Sequence, residues 1–295
     1  MVGQRVVVRR LVRGETGPTG GPAFTDLLGD LVSWGPASCV VVPASGSPVT
    51  IALADIVSGK PVPPRPSVRH RVSSRDAELR VARMFPGVVT SALGEWVLRT
   101  DPAPVGRLYK RANSCLALGS PGLPVEEAAA AVEEWYAARD RDPLAQVEAG
   151  SDVESSLLAL GWRVLEHGEA EMRIGSVSRV LRGLGAVPDG AVVAPESEPA
   201  SDRVLVVVPG EGEALAEGRA VLDGDWLGLH DLRVATTHRR RGLARAVVAA
   251  LLDWGASQGA LTAWLHVETD NVPAQALYEA LGLAPHHVVR YLSPA

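Results

Sequence analysis

A basic turn with a single glycine joins two apolar segments in the C-terminal part of the chain. In residues 236–244 three arginines precede Gly242, and the following segment, 243–254, is apolar along one helical face. N–H groups converge at the start of a helix, the helix dipole adds partial positive charge, and glycine admits a ligand closely. Arginine pairs well with phosphate oxygens. The pattern predicts a diphosphate site, with an ordinary exposed basic turn as the alternative.

A second segment, residues 262–282, strengthens this interpretation. Together the two segments resemble the GNAT superfamily of acetyl-CoA-dependent N-acetyltransferases. The turn is similar to its pyrophosphate motif, R/Q-x-x-G-x-G/A, with Arg239, Gly242 and Ala244 at the fixed positions. The second segment is similar to the signature N-x-x-A-x-x-L-Y-x-x-L-G, and its six positions are all present: Asn271, Ala274, Leu277, Tyr278, Leu281 and Gly282. The resemblance covers residues 204–290 and implies the α+β GNAT fold, a mixed central sheet flanked by helices.

The resemblance also implies a cosubstrate and the residues that bind it. Acetyl-CoA is the expected acetyl donor, and no metal is expected. The main chain of Val234 is expected to contact the pantetheine arm, and Asn271 to lie near the thiol. The pyrophosphate would be held by the turn and the helix start, namely Arg239, Arg240, Arg241, Gly242, Leu243 and Ala244.

Proton transfer needs an acid and a base, because the acceptor amine loses a proton and the departing thiolate gains one. Tyr278 resembles the superfamily tyrosine that protonates the thiolate; the alternative is a core tyrosine. In acetyltransferases of protein N-termini, which the segment 264–267 resembles, an acidic residue takes the place of His266. A histidine titrates near neutrality and can accept the proton directly or through water. A purely structural histidine is the alternative.

Three further residues are weaker candidates for the base: His230, Asp231 and Glu268. Strand alternation predicts that His230 shares a face with Leu232 and that Glu268 shares one with His266.

The first 66 residues are expected to form a small all-β barrel. Runs rich in β-branched residues, Arg5–Val12, Cys39–Val42 and Val49–Leu53, are separated by turn residues. Four prolines within Pro61–Pro66 predict a linker. The segment resembles the SH3-like barrel that precedes the acetyltransferase region in some actinobacterial proteins, some of which are labelled N-acetylglutamate synthases.

Residues 67–170 are expected to form a degenerate GNAT-like half, and residues 171–295 the acetyltransferase domain. Strands are predicted at Trp96–Arg99 and Leu108–Leu118, and helices at Val125–Arg139 and Asp152–Leu160. A shift of 121 residues lays residues 157–162 over 278–283, a faint internal repeat. The first copy lacks the basic turn and the signature tyrosine, which predicts that it is catalytically silent.

Composition narrows the class of protein. Apolar residues make up 46% and charged residues 21% of the chain, as in globular proteins, and the net charge of −5 argues against a nucleic-acid partner. No apolar run is long enough for a membrane helix, and the N-terminus lacks the apolar core of a signal peptide, which predicts a cytoplasmic protein. Two cysteines support neither a disulfide framework nor a zinc site. A monomer or homodimer is expected.

The expected function is direct transfer of acetyl from acetyl-CoA to a primary amine. The acceptor is left open among an amino acid such as glutamate, a peptide or protein amine, and another small amine. The alternative is a catalytically weak CoA-binding regulatory module whose N-terminal barrel binds a partner.

Overall fold

The computed structural model describes residues 2–16, 20–43, 46–62, 68–106, 108–186, 188–195 and 202–295. Contacts within the chain divide it into two compact units, Met1–Ser67 and Val68–Ala295. The predicted middle and C-terminal segments therefore belong to one compact unit, and the boundary between residues 170 and 171 stays a prediction.

The described part of the N-terminal unit forms one antiparallel sheet of five strands in the order β4-β3-β2-β1-β5. The strands are β1 Arg5–Thr16, β2 Pro22–Trp34, β3 Ser38–Pro43, β4 Val49–Ala52 and β5 Ile56–Pro61. A 3-10 turn, Leu53–Asp55, joins β4 to β5. Alternate residues of the strands form the core: Val6, Val8, Leu31, Cys39, Val41 and Ile51.

The three β-branched runs correspond to β1, β3 and β4, whereas β2 and β5 were not predicted. β2 is the longest of the five strands, but it mixes Asp26, Gly29, Asp30 and Ser33 with its apolar residues. Because β2 pairs with β1 on one side and with β3 on the other, it forms a strand in spite of its weak local preference for strand structure. Residues 63–66 of the predicted proline linker lie outside the described residues.

In its described part the second unit contains a single mixed sheet of 12 strands. The strands of its first half are β6 Val89–Leu93, β7 Trp96–Thr100, β8 Cys115–Leu116, β9 Ala145–Glu148 and β10 Arg163–Val164. Those of the second half are β11 Ala170–Ser176, β12 Val192–Pro195, β13 Arg203–Val208, β14 Ala216–Asp223, β15 Trp226–Val234, β16 Thr262–Glu268 and β17 Ala284–Ser293. The helices are α1 Ser74–Leu79, α2 Val125–Ala137, α3 Asp152–Ala159, α4 Val177–Leu184, α5 Leu243–Ser257 and α6 Val272–Ala280.

The two halves of this sheet join along one strand. The strand order is β12-β13-β14-β15-β16-β11-β17-β9-β8-β7-β6, with β10 paired to β17. Strand β17 of the second half thus pairs with β9 and β10 of the first half. The helix–strand–helix series α2-β9-α3 recurs as α5-β16-α6, and the 121-residue shift places residues 152–159 on 273–280, within α6. The same order of elements occurs twice, as the faint sequence repeat indicates.

The second half of the sheet buries its two faces differently. Along β16, Ala263, Leu265 and Val267 pack in the core that contains α4, α5 and α6, whereas Trp264 points to the opposite face. There it packs against α1 and the 3-10 turn Arg80–Met84. Helix α5 lies close to the sheet at Gly218, where an added Cβ would meet Val247 Cγ1 at 2.7 Å.

The predicted strand over Leu108–Leu118 is largely wrong, since only Cys115 and Leu116 are in a strand. Residues Lys110–Ala112 form a 3-10 turn instead. The Asn113 side chain donates to the carbonyl of Tyr109 at 3.1 Å and accepts from the N–H of Asp101 at 2.9 Å. A local side chain that satisfies loop backbone groups in this way favours a turn over a strand.

Candidate active site

Two neighbouring parallel strands, β15 and β16, separate part-way along their length. They pair from Trp226 and Thr262 up to Leu229 and Leu265, and no further. The cause is a bulge in β15, where the pairing with β14 shifts between Arg219 and Glu217. Asp231, inside the bulge, has a positive φ of 51°, which is unusual for a residue other than glycine. The separation opens a gap between two strands that are otherwise buried.

The bulge also corrects one prediction. Leu232 packs with the α5 core together with Leu229, so the extra residue has moved it off the face of His230. The expectation that His230 and Leu232 share a strand face is therefore wrong. Both residues nevertheless line the same cleft, because the gap between the strands opens to both faces.

A cleft of 1410 Å³ begins at this gap. Most of the predicted residues line it: Val234, Arg239, Arg240, Gly242, Leu243, Ala244, His266, Asn271 and Tyr278. The weaker candidates His230, Asp231 and Glu268 line it as well. Arg241 is not among the lining residues. The structure thus brings the two sequence motifs to one cavity, while the role of each residue stays a prediction.

The turn before α5 has a backbone shaped for an anion. Gly242 caps the helix with a φ of 81°, and Arg240 also has a positive φ of 63°. No side chain caps the helix, so the N–H groups of its first turn have no partner within the helix. Left-handed residues in such a turn direct successive N–H groups inward, where the helix dipole also favours negative charge. The turn therefore fits a diphosphate.

Tyr278 and Asn271 lie on α6, which follows β16. Asn271 caps this helix, and its Oδ1 accepts from the N–H of Ala274 at 3.2 Å. The side-chain oxygen of Asn271 thus has a structural partner already. Tyr278 is only 8% exposed, and burial raises its pKa to about 12. Its hydroxyl therefore stays protonated at neutral pH, as a proton donor must.

His266 is held from the opposite face by a buried carboxylate. Its Nε2 donates to Glu78 Oε1 at 2.5 Å, and His287 Nε2 contacts the same oxygen at 3.1 Å. Gln146 Nε2 donates to Glu78 Oε2 at 2.8 Å. Burial by itself would raise the pKa of Glu78, but the contacts with His266 and His287 lower it well below its usual range. Glu78 is therefore an ionised carboxylate inside the protein.

The contact with Glu78 leaves the other ring nitrogen of His266 able to accept a proton. Burial lowers the pKa of His266, although Glu78 opposes this, so the imidazole is neutral near pH 7. With Nε2–H directed at the carboxylate, the lone pair lies on Nδ1, which has no hydrogen-bond partner among the described residues. The side chain is fully buried, and the residue borders the cleft. His266 is therefore a neutral imidazole beside an ionised carboxylate.

Glu78 was not among the candidate residues of the sequence analysis. In the structure Glu78 is 188 residues from His266 along the chain and is completely buried. The available signal was the spacing of Ala77, Val81 and Met84, an apolar stripe that Glu78 adjoins. An acidic residue next to a buried stripe is a candidate partner for a charged or polar group.

The structure bears on the expectations about metal binding, membrane helices and cysteines. In the part of the chain that the structure describes, no group of three or more His, Cys, Asp and Glu side chains is arranged to hold a metal. Among the same residues, no helix has the length and apolar character needed to cross a membrane. Both cysteines are free and buried.

Two protein families match this chain, one in its C-terminal part and one in its N-terminal part. Residues 168–292 match the family described as "Probable histone acetyltransferase Rv0428c C-terminal". Residues 1–60 match the family described as "Rv0428c N-terminal Sm-like domain", in agreement with the small all-β unit. The matched C-terminal region is therefore a GNAT N-acetyltransferase domain, and members of that superfamily use acetyl-CoA. The chain combines this domain with an N-terminal region that matches the Sm-like domain of Rv0428c.

Curated relatives align with parts of the chain. Streptothricin acetyltransferase from Streptomyces lavendulae is 35% identical over 99 residues, which are 32% of this chain and 50% of the relative. The [Ribosomal protein bS18]-alanine N-acetyltransferase from Escherichia coli (strain K12) is 38% identical over 73 residues, 25% of this chain and 48% of the relative. The chain thus spans half or less of the length of these two relatives.

Solved structures agree on the fold. A GCN5-related N-acetyltransferase from Kribbella flavida has a TM-score of 0.59 at 17% identity and covers 76% of this chain and 95% of its own. A functionally unknown conserved protein from Staphylococcus epidermidis has a TM-score of 0.54 at 9% identity and covers 76% and 97%. At such identities the likeness shows the GNAT fold alone.

Proposed function

We propose that this protein transfers an acetyl group from acetyl-CoA directly to a primary amine. One observation carries the proposal: a single cleft joins an anion-binding helix start, a gap between β15 and β16, and side chains suited to accept and donate a proton. Neither His266 nor Tyr278 has to change its ionisation state beforehand, because His266 is neutral and Tyr278 is protonated near pH 7.

The chain's own groups fit the donor without rearrangement of the fold. Main-chain N–H groups from Arg240 to Ala244 bind the diphosphate, and Arg239 adds positive charge. Beyond the bulge, Val234 lies in β15 where that strand no longer pairs with β16, so its main-chain groups can contact the pantetheine arm. When bound, acetyl-CoA supplies an activated thioester.

The protein then handles two protons. His266 Nδ1 accepts the proton of the acceptor amine through an intervening water, since the ring itself is buried. Glu78 stabilises the imidazolium that results. The amine nitrogen forms a bond to the thioester carbonyl carbon, the carbon–sulfur bond breaks, and the Tyr278 hydroxyl protonates the thiolate. Solvent afterwards returns a proton to Tyr278 and removes one from His266.

The names of the relatives do not single out an acceptor. They refer to an antibiotic, to the alanine of a ribosomal protein and to a histone. An amino acid such as glutamate, a peptide or protein amine, and another small amine are all compatible with direct transfer.

The test is release of free thiol from acetyl-CoA by the purified full chain, measured with amino acids, their amides, N-terminal and lysine peptides, polyamines and aminoglycosides. We expect thiol release to depend on one class of amine. Calorimetry with acetyl-CoA alone serves as the control for cofactor binding. Tight binding without thiol release for every class would contradict the proposal and support a CoA-binding regulatory module.

A further inference from the structure

The end of the cleft away from α5 is lined by two cations. Lys110 and Arg111 lie in the 3-10 turn of the first half, and Tyr291 of β17 lies beside them. Lys110 Nζ donates to the carbonyl of His167 at 2.5 Å and lies 5.6 Å from the centroid of the Tyr291 ring. Strand β17 is three positions from β15 in the sheet, or about 14 Å at the usual strand spacing. This cationic end is therefore distinct from the anion site at α5.

Neither cation has a carboxylate within 4.0 Å among the residues that the structure describes. Both residues are half-buried, so their charges are partly desolvated without a counter-ion. Several other shielded arginines of the same unit have acidic partners, namely Arg80 with Asp223, Arg173 with Glu171, and Arg290 with Glu154 and Glu169. The buried Arg99 instead donates to Ser114 and Gln146. The cationic end lacks a negative charge that a ligand can supply.

Arg111 also lies near the candidate base. Burial is the main cause that lowers the pKa of His266, Glu78 opposes it, and the charge of Arg111 adds to the lowering. Arg111 likewise lies near the buried Tyr291, whose pKa is raised by burial in spite of that positive charge. An anion bound to Arg111 would therefore be close to the imidazole that accepts the proton.

The acidic residues that line the cleft do not neutralise this end. Asp231 lies in the bulge of β15 and already contacts His230 at 3.3 Å and Arg219 at 3.9 Å. Glu268 is exposed at the end of β16. Neither lies within 4.0 Å of Lys110 or Arg111.

We propose that the acceptor is a small amine that bears a carboxylate, as an amino acid does, and that Arg111 and Lys110 bind this carboxylate. The inference rests on the proposed function. A guanidinium pairs with a carboxylate through two parallel hydrogen bonds, and Lys110 Nζ keeps two protons after its bond to His167. A carboxylate held there directs the amine of the same small molecule toward His266. An acceptor with several positive charges would meet like charges at this end.

The experiment compares three acceptors of one carbon skeleton: an amino acid, its amide and its decarboxylated amine. Each proteinogenic amino acid is tested in this way by thiol release with saturating acetyl-CoA. For at least one skeleton we expect kcat/KM of the carboxylated form to exceed the other two by about 30-fold or more. Equal values for all three forms of every reactive skeleton would overturn the carboxylate site.

A variant tests the assignment to Arg111. For Arg111→Gln we expect the KM of the carboxylated acceptor to rise by about 30-fold, while the acetyl-CoA affinity stays unchanged. Arg111→Lys keeps the charge and should recover part of the loss. Arg139→Gln is the matched control. It removes an exposed arginine that lies just beyond the C-terminal end of α2, and it should leave KM unchanged.

The outcomes separate this inference from the proposed function. An unchanged KM in Arg111→Gln, with thiol release intact, would overturn the carboxylate site and leave acetyl transfer standing. A loss of acetyl-CoA affinity in the same variant would show that Arg111 binds the donor instead, and would also overturn it. Absence of thiol release with every amine would contradict the proposed function itself.

Discussion

At the scale of single residues, the proposed proton transfer to His266 depends on a carboxylate, Glu78, that does not line the cleft. Glu78 is completely buried, yet it holds His266 in one tautomer and keeps the free lone pair on Nδ1. The charge of Glu78 also raises the pKa of His266 against the larger effect of burial. We therefore regard Glu78 as a positioning residue and His266 as the base.

Replacing Glu78 should change the pH dependence as well as the rate. In Glu78→Gln the imidazolium loses its counter-charge, so the pKa of His266 falls further and the acidic limb of kcat/KM moves to lower pH. Turnover should fall by about 10²-fold, because the protonated base is no longer stabilised. The measurement is thiol release from pH 5 to 9.

The matched control is Glu154→Gln. Glu154 is another buried carboxylate, paired with Arg290 at 2.9 Å. Its replacement should lower stability and leave the acidic limb where it is. If both variants kept the wild-type pH profile, Glu78 would have a structural role only.

The pKa of Glu78 has a separate consequence for stability. Its folded-state pKa lies well below its ordinary value, so its contribution to folding is complete above the unfolded-state pKa and is lost as the pH falls through the folded-state pKa. This loss of stability occurs below pH 5, outside the range of the activity measurement, so it does not affect the comparison of the pH profiles.

Tyr278→Phe isolates the proton donor. The ring stays in the core and only the hydroxyl is removed, so we expect turnover to fall by about 10²-fold with little change in acetyl-CoA affinity. Tyr136→Phe is the control, since the Tyr136 hydroxyl donates to the carbonyl of Arg99 in the first half. It should cost about 1 kcal/mol of unfolding free energy and leave turnover unchanged. Equal turnover of Tyr278→Phe and wild type would make Tyr278 a core residue.

At the scale of elements, the site depends on two local departures from regular structure. The bulge in β15 opens the gap, and the left-handed turn before α5 directs N–H groups into it. The turn was predictable, because Arg239, Gly242 and Ala244 have a recognisable spacing. The bulge was not, because Asp231 in a run of strand-forming residues carries no local signal that the register with β14 shifts there.

Gly242→Glu tests the turn. A carboxylate would occupy the place of the diphosphate, so we expect acetyl-CoA affinity to fall by about 10²-fold or more in calorimetry. Gly259→Glu is the control: Gly259 follows α5 at its other end and has a similar positive φ of 89°. This variant carries the same backbone strain and charge and should keep the affinity. Unchanged affinity in Gly242→Glu would show that the donor binds elsewhere.

At the scale of the whole molecule, the two halves of the second unit share one continuous sheet. Strand β17 of the second half pairs with β9 and β10 of the first half. The network from Arg99 through Gln146 to Glu78 also connects the first half to His266. The half that lacks the acetyltransferase motifs thus supplies part of the candidate site.

We therefore expect residues 68–295 to unfold in one transition. Leu157→Ala in the first half and Leu252→Ala in the second each remove a fully buried side chain and should cost about 2–5 kcal/mol. Thermal unfolding should show the same transition lowered in both variants, and acetyl-CoA should raise it in both. Two separate transitions, with donor-induced stabilisation confined to one, would contradict this coupling.

Features that depend on residues close together in the sequence could be predicted, whereas features that depend on distant residues could not. Local spacing identified the two sequence motifs and the helical face of α5, and it predicted α2 and α3 nearly to their ends. The pairing of β17 with β9 and the pairing of Glu78 with His266 depend on contacts between distant parts of the chain. Neither leaves a periodic pattern in the sequence, so both required the structure.

The most direct test of the central claim is the stoichiometry of the reaction. With acetyl-CoA and its preferred amine, direct transfer predicts one acetylated amine for each free thiol, and an enzyme whose intact mass is unchanged after exposure to acetyl-CoA alone. Thiol release without an equal amount of acetylated amine, or an acetylated protein, would contradict direct transfer through His266 and Tyr278.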